Sequence, residues 1–164
     1  MSKWLIILVG LILAVSIYEV LRRQILKRTA LKIRQAGQRT VDQAMVASLA
    51  QLSSVAKAQQ VGGTLHSVPV AAVWGRGVMA FEYVIATPGM VAADLPEVRR
   101  LLNNQLQVYA QAKKVTAYQS AGPALRVTDT WLRDGQLHLD VAYLMNEATL
   151  EYLEDLRRLN HEAN

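Results

Sequence analysis

The hydrophobic pattern changes character twice along the chain. From Trp4 to Leu21 it is an almost unbroken apolar run, WLIILVGLILAVSIYEVL, with Glu19 as its one charge. Wound as a helix at 1.5 Å per residue, this run spans roughly 27 Å, close to the hydrocarbon thickness of a bilayer. Trp4 and Tyr18 stand near its two ends, where amphipathic aromatics favour the membrane interfaces. The pattern predicts a single transmembrane anchor over residues 1–21. A cleaved signal peptide is disfavoured, because Lys3 is the one base ahead of the core and Ser16–Leu21 offers no small-x-small cleavage site. A buried helix of a soluble domain is disfavoured by the length of the run.

Beyond Leu21 the pattern becomes helical and amphipathic. Residues 22–60 hold no proline, and Gly37 is their one breaker. Val41, Met45, Leu49, Leu52 and Val55 recur at spacings of three and four, a narrow apolar stripe that needs a covering surface. Self-association through this helix, another protein subunit, or the chain's own domain would each supply one. Fewer than three clear heptads are present, so no oligomeric state follows.

After Val61-Gly62-Gly63-Thr64 the periods shorten, and residues 64–160 read as an α+β domain. Val68–Trp74 and Val78–Ala86 are candidate strands, joined by Gly75-Arg76-Gly77. Pro69 places the first at a sheet edge, and the apolar character of both faces of the second suits a central strand. Asp94, Pro96 and Glu97 predict a helix N-terminus with a capping box. Val98, Leu101, Leu102, Leu106, Tyr109 and Ala112 then share one helix face, closed by Lys113 and Lys114.

Leu125–Met145 reads as a hairpin around Asp134-Gly135. A two-residue loop would oppose Asp129 to Asp140 and mix polar with apolar groups on both faces. A three-residue loop, Arg133-Asp134-Gly135, gathers Leu125, Val127, Trp131, Leu137, Leu139, Val141 and Tyr143 on one face. It sets Arg126, Thr128, Thr130, His138 and Asp140 on the other, and is therefore the expected register. That choice leaves Asp129 as a buried polar site, in need of a partner or a raised pKa. Asn146 caps a last helix, Glu147–Leu159, in which Glu154 and Arg158 can pair. The expected architecture is a small antiparallel sheet with helices packed on one face, behind the anchor and the long helix.

Charge changes the picture at one place. Arg22, Arg23, Lys27, Arg28, Lys32, Arg34 and Arg39 follow the apolar run, against Lys3 before it. Basic flanks stay in the cytoplasm, so the domain is expected there, at the plasma (inner) membrane, with a short N-terminus outside. Residues 1–39 carry eight bases and one acid, a balance of +7, whereas the rest carries ten bases and twelve acids, a balance of −2. The net +5 is thus a juxtamembrane property. It suits anionic headgroups, at about 1 kcal/mol per basic residue near the surface, better than a nucleic-acid patch on the folded domain.

Candidate chemistry is sparse. The 164 residues contain no cysteine, which removes disulfides, thiolate zinc sites, iron–sulfur clusters and cysteine nucleophiles together. His66, His138 and His161 lie apart, with no second ligand at metal spacing. His138 and Asp140 share a strand face, for which a solvated face is the favoured reading over a metal or pH-sensing role. Gly75-Arg76-Gly77 lacks the Gly-Lys-Ser/Thr of a phosphate loop. Ser120-Ala121-Gly122 lacks the context of a nucleophile elbow. No catalytic residue, cofactor or metal is expected.

The strand, Pro-Gly turn, capped helix and hairpin of residues 78–145 resemble, in outline, the small βαββ modules that precede motor domains in DNA-translocating membrane ATPases. The leading expectation is a non-enzymatic, membrane-anchored assembly or docking subunit of a larger bacterial envelope complex. Its partners would be the lipid bilayer and other subunits. The alternative, which the resemblance keeps open, is an accessory subunit of DNA transfer or segregation machinery using the basic segment.

Overall fold

The computed structural model describes residues 3–52, 65, 67–70 and 77–162, without the side chains of residues 5, 6, 26, 27 and 160–162. It is an α+β protein. Helix α1 (Lys3–Ala50) leads into strands β1 (Ser67–Pro69) and β2 (Ala80–Ala86), then helix α2 (Leu95–Lys113), strands β3 (Leu125–Arg133) and β4 (Gln136–Tyr143), and helix α3 (Glu147–Glu162). Two compact units divide the chain, Met1–Gln35 and Ala36–Asn164.

In the first unit the apolar side chains stand outward around the helix, from Trp4 through Ile25. Among the described residues, however, no helix is long and apolar enough to cross a membrane. The described side chains run from Ile7 to Leu21, roughly 22 Å of helix, before Arg22 and Arg23. Glu19 inside that run reaches Arg22 at 3.4 Å and Arg23 at 3.9 Å. The structure therefore shows the long helix but not the transmembrane span that the sequence predicts within it.

In the second unit the sheet is antiparallel with the order β1-β2-β4-β3. Strands β2 and β3 consequently run parallel with β4 between them, a split β–α–β unit closed by α2. Pro69 lies on the edge strand, where its missing N–H costs no ladder bond, and β2 is central.

One core lies between the sheet and the two helices α1 and α2. Phe81, Tyr83 and Ile85 of β2 and Leu137, Leu139 and Val141 of β4 alternate into it, with Leu125 and Val127 of β3. Val41, Ala44, Met45 and Leu49 of α1 and Val98, Leu102, Leu106 and Ala110 of α2 cover them. Val41, Met45, Leu49 and Leu52, expected as an interaction stripe, are thus spent inside the chain's own core. Val55, the remainder of the helix expected to residue 60, and the strand expected beyond Val70 lie outside the described residues. Helix α1 is ended at Ala50 by a turn, in which Leu52 N donates to Leu49 O.

The other face of the sheet is covered in part by α3, so the expectation of helices on one face is corrected. Ala80 and Ala142, the small residues of that face, receive Tyr152 and Leu153, with Leu150 and Leu156 alongside. Asn146 caps α3 as expected, its Oδ1 accepting from the Thr149 N–H at 3.0 Å and hydroxyl at 2.7 Å. Glu154 and Arg158 pair at 3.8 Å.

Helix α2 starts differently from expectation. The Asp94 carboxylate accepts from Val91 N in the preceding turn, and makes no cap bond to the helix. Glu97 is turned onward to Arg100, at 2.9 and 2.7 Å, so no capping box forms. At the other end Lys114 adopts φ 53, and Val115 N returns to Ala110 O.

The hairpin register is also corrected. Arg133 pairs with Gln136, so the loop is the two residues Asp134 and Gly135, both at positive φ. The mixing that this register implies is removed by a β-bulge. Val127 faces Val141 while Asp129 faces Asp140, so Thr128 is an extra residue in β3. Before the bulge Leu125 and Val127 point into the core; after it Thr130 and Leu132 do, and Asp129 and Trp131 point to the opposite face. Helix α2 satisfies the backbone that the bulge frees. Asn103 Oδ1 accepts from Val127 N at 2.9 Å, and Arg99 donates to Thr128 O at 2.8 Å.

Two measurements check this packing. Met45→Ala should destabilise the chain by about 2–5 kcal/mol, as a large-to-small core change does. Val46→Ala, on the exposed side of the same turn, should stay within about 0.5 kcal/mol. Equal effects in denaturant titrations would overturn the assignment of the stripe to the core. Asn103→Ala leaves the Val127 N–H unpaired and should cost about 1–3 kcal/mol, with the Val127 and Thr128 amides losing hydrogen-exchange protection before the rest of β3.

Candidate functional site

The face opposite the main core carries the chain's concentrated polar side chains, and its layout follows from the register. Cross-strand partners point the same way, so β2, β4 and β3 build rows across the sheet. Ala80, Ala142 and Arg126 form one row, Glu82, Asp140 and Asp129 the next, and Val84, His138 and Trp131 the third. Helix α3 covers the first row; in the other two Asp129 and Val84 are exposed, and Glu82, Asp140, His138 and Trp131 are partly buried.

The acidic row sets three carboxylates side by side at strand spacing, a destabilising arrangement for like charges. Asp140 stands in the middle. Its Oδ1 is buried with no hydrogen-bond partner among the described residues. Burial pushes the Asp140 carboxyl up to about 6 from an ordinary 3.8, the charges of Glu82 and Asp129 push the same way, and His138 opposes them. Across the bulge the Thr128 hydroxyl donates to the Asp140 carbonyl at 3.1 Å. Burial, then the charge of Asp140, raise the Tyr152 hydroxyl to about 12, with Thr128 acting against them.

Beside this row His138 Nδ1 lies 2.9 Å from Glu82 Oε1. A carboxylate can only accept, so Nδ1 carries the proton in that contact. The imidazole is stacked on Trp131, with ring centroids 5.0 Å apart and planes at 17°. His138 is therefore held on two sides rather than lying on a solvated strand face, and Trp131 is a platform on this face, not a core residue. Among the described residues no group of three or more His, Asp or Glu is placed to hold a metal ion. The arrangement can receive a cationic side chain.

Asp129, expected as the buried polar site, is exposed, and its Oδ1 accepts from the neighbouring Thr130 N at 2.8 Å. The two-residue turn sets its facing outward, and the buried acid is its partner Asp140. The signal was present in the sequence as the Asp-Gly turn, which favours a two-residue loop. A second polar cluster holds α1 to the sheet. The Asp42 carboxylate accepts from Tyr83 and from Ser67, each at 2.7 Å, and Gln38 donates to Ser67. Burial, then the Asp42 bond, push the Tyr83 hydroxyl far up. This partly buried cluster joins three elements, α1, β1 and β2, and its polar groups are paired with one another.

The residues expected to meet lipid are all on α1. Trp4, Tyr18, Arg22, Arg23, Arg28 and Lys32 are exposed and Arg34 is partly covered; the Lys27 side chain lies outside the described residues. Comparison with protein-family models, with curated proteins and with solved structures finds no match for this chain.

The acidic row predicts a particular pH dependence. The folded Asp140 carboxyl, at about 6, holds its proton more tightly than in the unfolded chain, at 3.8. Between those values the folded state binds more protons, so this group's contribution to stability falls as pH rises through the window and is level above it. Asp140→Asn should remove that slope and be the more stable chain at pH 7.5. Parallel stability–pH curves for the two chains would show that Asp140 carries no such strain.

Proposed function

We propose that this chain is a membrane-anchored docking subunit of a larger bacterial envelope complex and not an enzyme. The observation that carries the reading is the surface of α1 in the first unit. Ile7, Leu8, Leu11, Ile12, Leu13, Val15 and Ile17 are each more than half exposed, and at 100° per residue they point to all sides of the helix. Leaving such a side chain in water forgoes roughly 1.5–3 kcal/mol. Seven of them together forgo about 10–20 kcal/mol, as much as the roughly 5–15 kcal/mol by which a typical domain is stable. An all-round apolar helix of this kind calls for lipid or for a ring of partner helices.

Lipid is favoured by what flanks it. With Trp4, Leu5 and Ile6 included, the sequence supplies an apolar run of bilayer length. Arg22, Arg23, Arg28 and Lys32 follow at once and are exposed, suited to the anionic headgroups of a cytoplasmic leaflet. In this reading the N-terminus is outside and the α+β unit lies at the cytoplasmic face of the plasma membrane. Because Val41, Met45, Leu49 and Leu52 are already used in the core, docking falls to the domain's surface, where the acidic row and the Trp131–His138 platform are open.

Alkaline carbonate washing of native membranes tests the anchor: the chain should remain in the pellet, and release into the supernatant would overturn it. Mild-detergent extraction, native sizing and mass spectrometry test docking. A discrete species holding defined further subunits is expected; a bare monomer would overturn it. The exposed bases favour one second reading, contact of the juxtamembrane helix with DNA. That reading requires duplex binding that weakens steeply with salt and is lost when Arg28, Lys32, Arg34 and Arg39 are neutralised together.

A further inference from the structure

The end of the sheet face that α3 covers holds a second feature, independent of the acidic row. A cavity of about 170 Å³ opens between α3, β3 and the segment from Ala117 to Pro123. Leu144, Leu150 and Leu153 form its apolar wall, and Arg126 and Arg157 enter it from β3 and α3. Arg126 is partly buried. No carboxylate among the described residues lies within ion-pair distance of either arginine, and the ion pairs of this region are made by Arg158 instead. Burial, and the like charges of Arg157 and Arg99, hold the Arg126 guanidinium below its ordinary pKa. Arg99 is committed to the bulge carbonyl. Two cations, Arg126 partly buried and Arg157 exposed, thus share a half-enclosed, partly apolar space in which neither is ion-paired and Glu154 is the one carboxylate among the lining residues, an arrangement that disfavours the empty state.

We propose that this cavity is a binding site for a carboxylate carried on a short aliphatic stem. The guanidinium fork matches a planar carboxylate through paired hydrogen bonds, and the three leucines take the stem. Size limits the occupant. About 170 Å³ has room for a group of roughly six heavy atoms, since a comparable dry cavity accommodates benzene. It is below the range of cavities that enclose drug-sized ligands or cofactors. Glu154 on the rim disfavours a phosphate dianion and leaves a monoanion preferred. Such a group is presented either by a free short-chain acid or by the C-terminal residue of another polypeptide.

The full chain in neutral detergent, titrated with butyrate and followed by thermal unfolding, tests this. Butyrate should raise the midpoint saturably, while butyramide, of the same shape and uncharged, should not. Arg126→Gln and Arg157→Gln should each weaken butyrate by about tenfold or more. Arg126→Gln without ligand should be at least as stable as the parent, because it removes an unpaired buried charge, so loss of binding cannot be ascribed to misfolding. A pentapeptide ending in Ala-Leu with a free carboxylate, against its C-terminal amide, separates the two sources. Binding of the free-ended peptide at least tenfold tighter than butyrate assigns the site to a polypeptide terminus, and equal or weaker binding to a free acid. No saturable butyrate response, an equal response to butyramide, or an undiminished response in both variants would overturn the proposal.

Discussion

The extra residue at Thr128 is the constraint on which the rest of the sheet depends. The Asp134-Gly135 turn fixes Arg133 opposite Gln136, and from there a regular ladder would carry Asp129 out but Leu125 and Val127 out with it. Inserting one residue reverses the facing of everything N-terminal to it. Leu125 and Val127 return to the core, and Asp129 and Trp131 stay on the outer face. The cost is a broken ladder at an edge strand. Helix α2 offsets it with two side chains four apart, Arg99 and Asn103, which meet the freed carbonyl and amide. The same helix face that fills the core through Val98, Leu102 and Leu106 therefore also sets the register of the hairpin.

The bulge also decides where charge gathers. The turn sets Asp129 outward and completes the row Glu82–Asp140–Asp129, and the bulge, by placing Arg126 on the far side of the break, leaves that arginine opposite Ala142. Opposite charges on one sheet face are in this way kept in separate rows. A domain selected for stability alone would interleave them. Here burial and then the neighbouring acids raise the Asp140 pKa, and burial and then the neighbouring arginines lower that of Arg126, so both clusters hold unfavourable interactions. Perturbed groups of this kind concentrate where proteins meet ligands.

Much of the fold was legible in the sequence. Pro69 marked an edge, the apolar faces of β2 marked a centre, and Asn146 marked a cap, because each of those is decided by local chemistry. The errors arose where two local rules competed. At the hairpin, clean alternation favoured a three-residue loop and Asp-Gly favoured two; a mid-strand bulge satisfied both, and no periodicity argument names its position. At Asp94 and Glu97 the capping pattern lost to Arg100, which stands one turn on and takes the carboxylate. The site was less legible than the fold. His138 and Asp140 were recognisable as neighbours on one face, but Glu82 and Trp131 join them through strand pairing, and Arg126 meets Arg157 only when α3 folds back over the sheet.

The stripe on α1 shows why burial, not pattern, must decide what a surface is for. Val41, Met45, Leu49 and Leu52 recur as a partner-seeking helix would have them, yet each is buried against β2, β4 and α2. The adjoining cluster gives the reason for their fidelity to this sheet. Asp42, one residue from Val41, accepts from both Tyr83 and Ser67, and that pairing of a charge with two donors specifies one docking of the helix. Apolar contact alone would tolerate a slip by one turn; the carboxylate would then lose both donors in a partly buried setting, at about 1–3 kcal/mol or more. The C-terminal part of α1 is thus fixed as part of the domain. The side chains that the core does not consume are the outward ones before Gln35 and those of the acidic row and arginine cavity on the far side of the sheet.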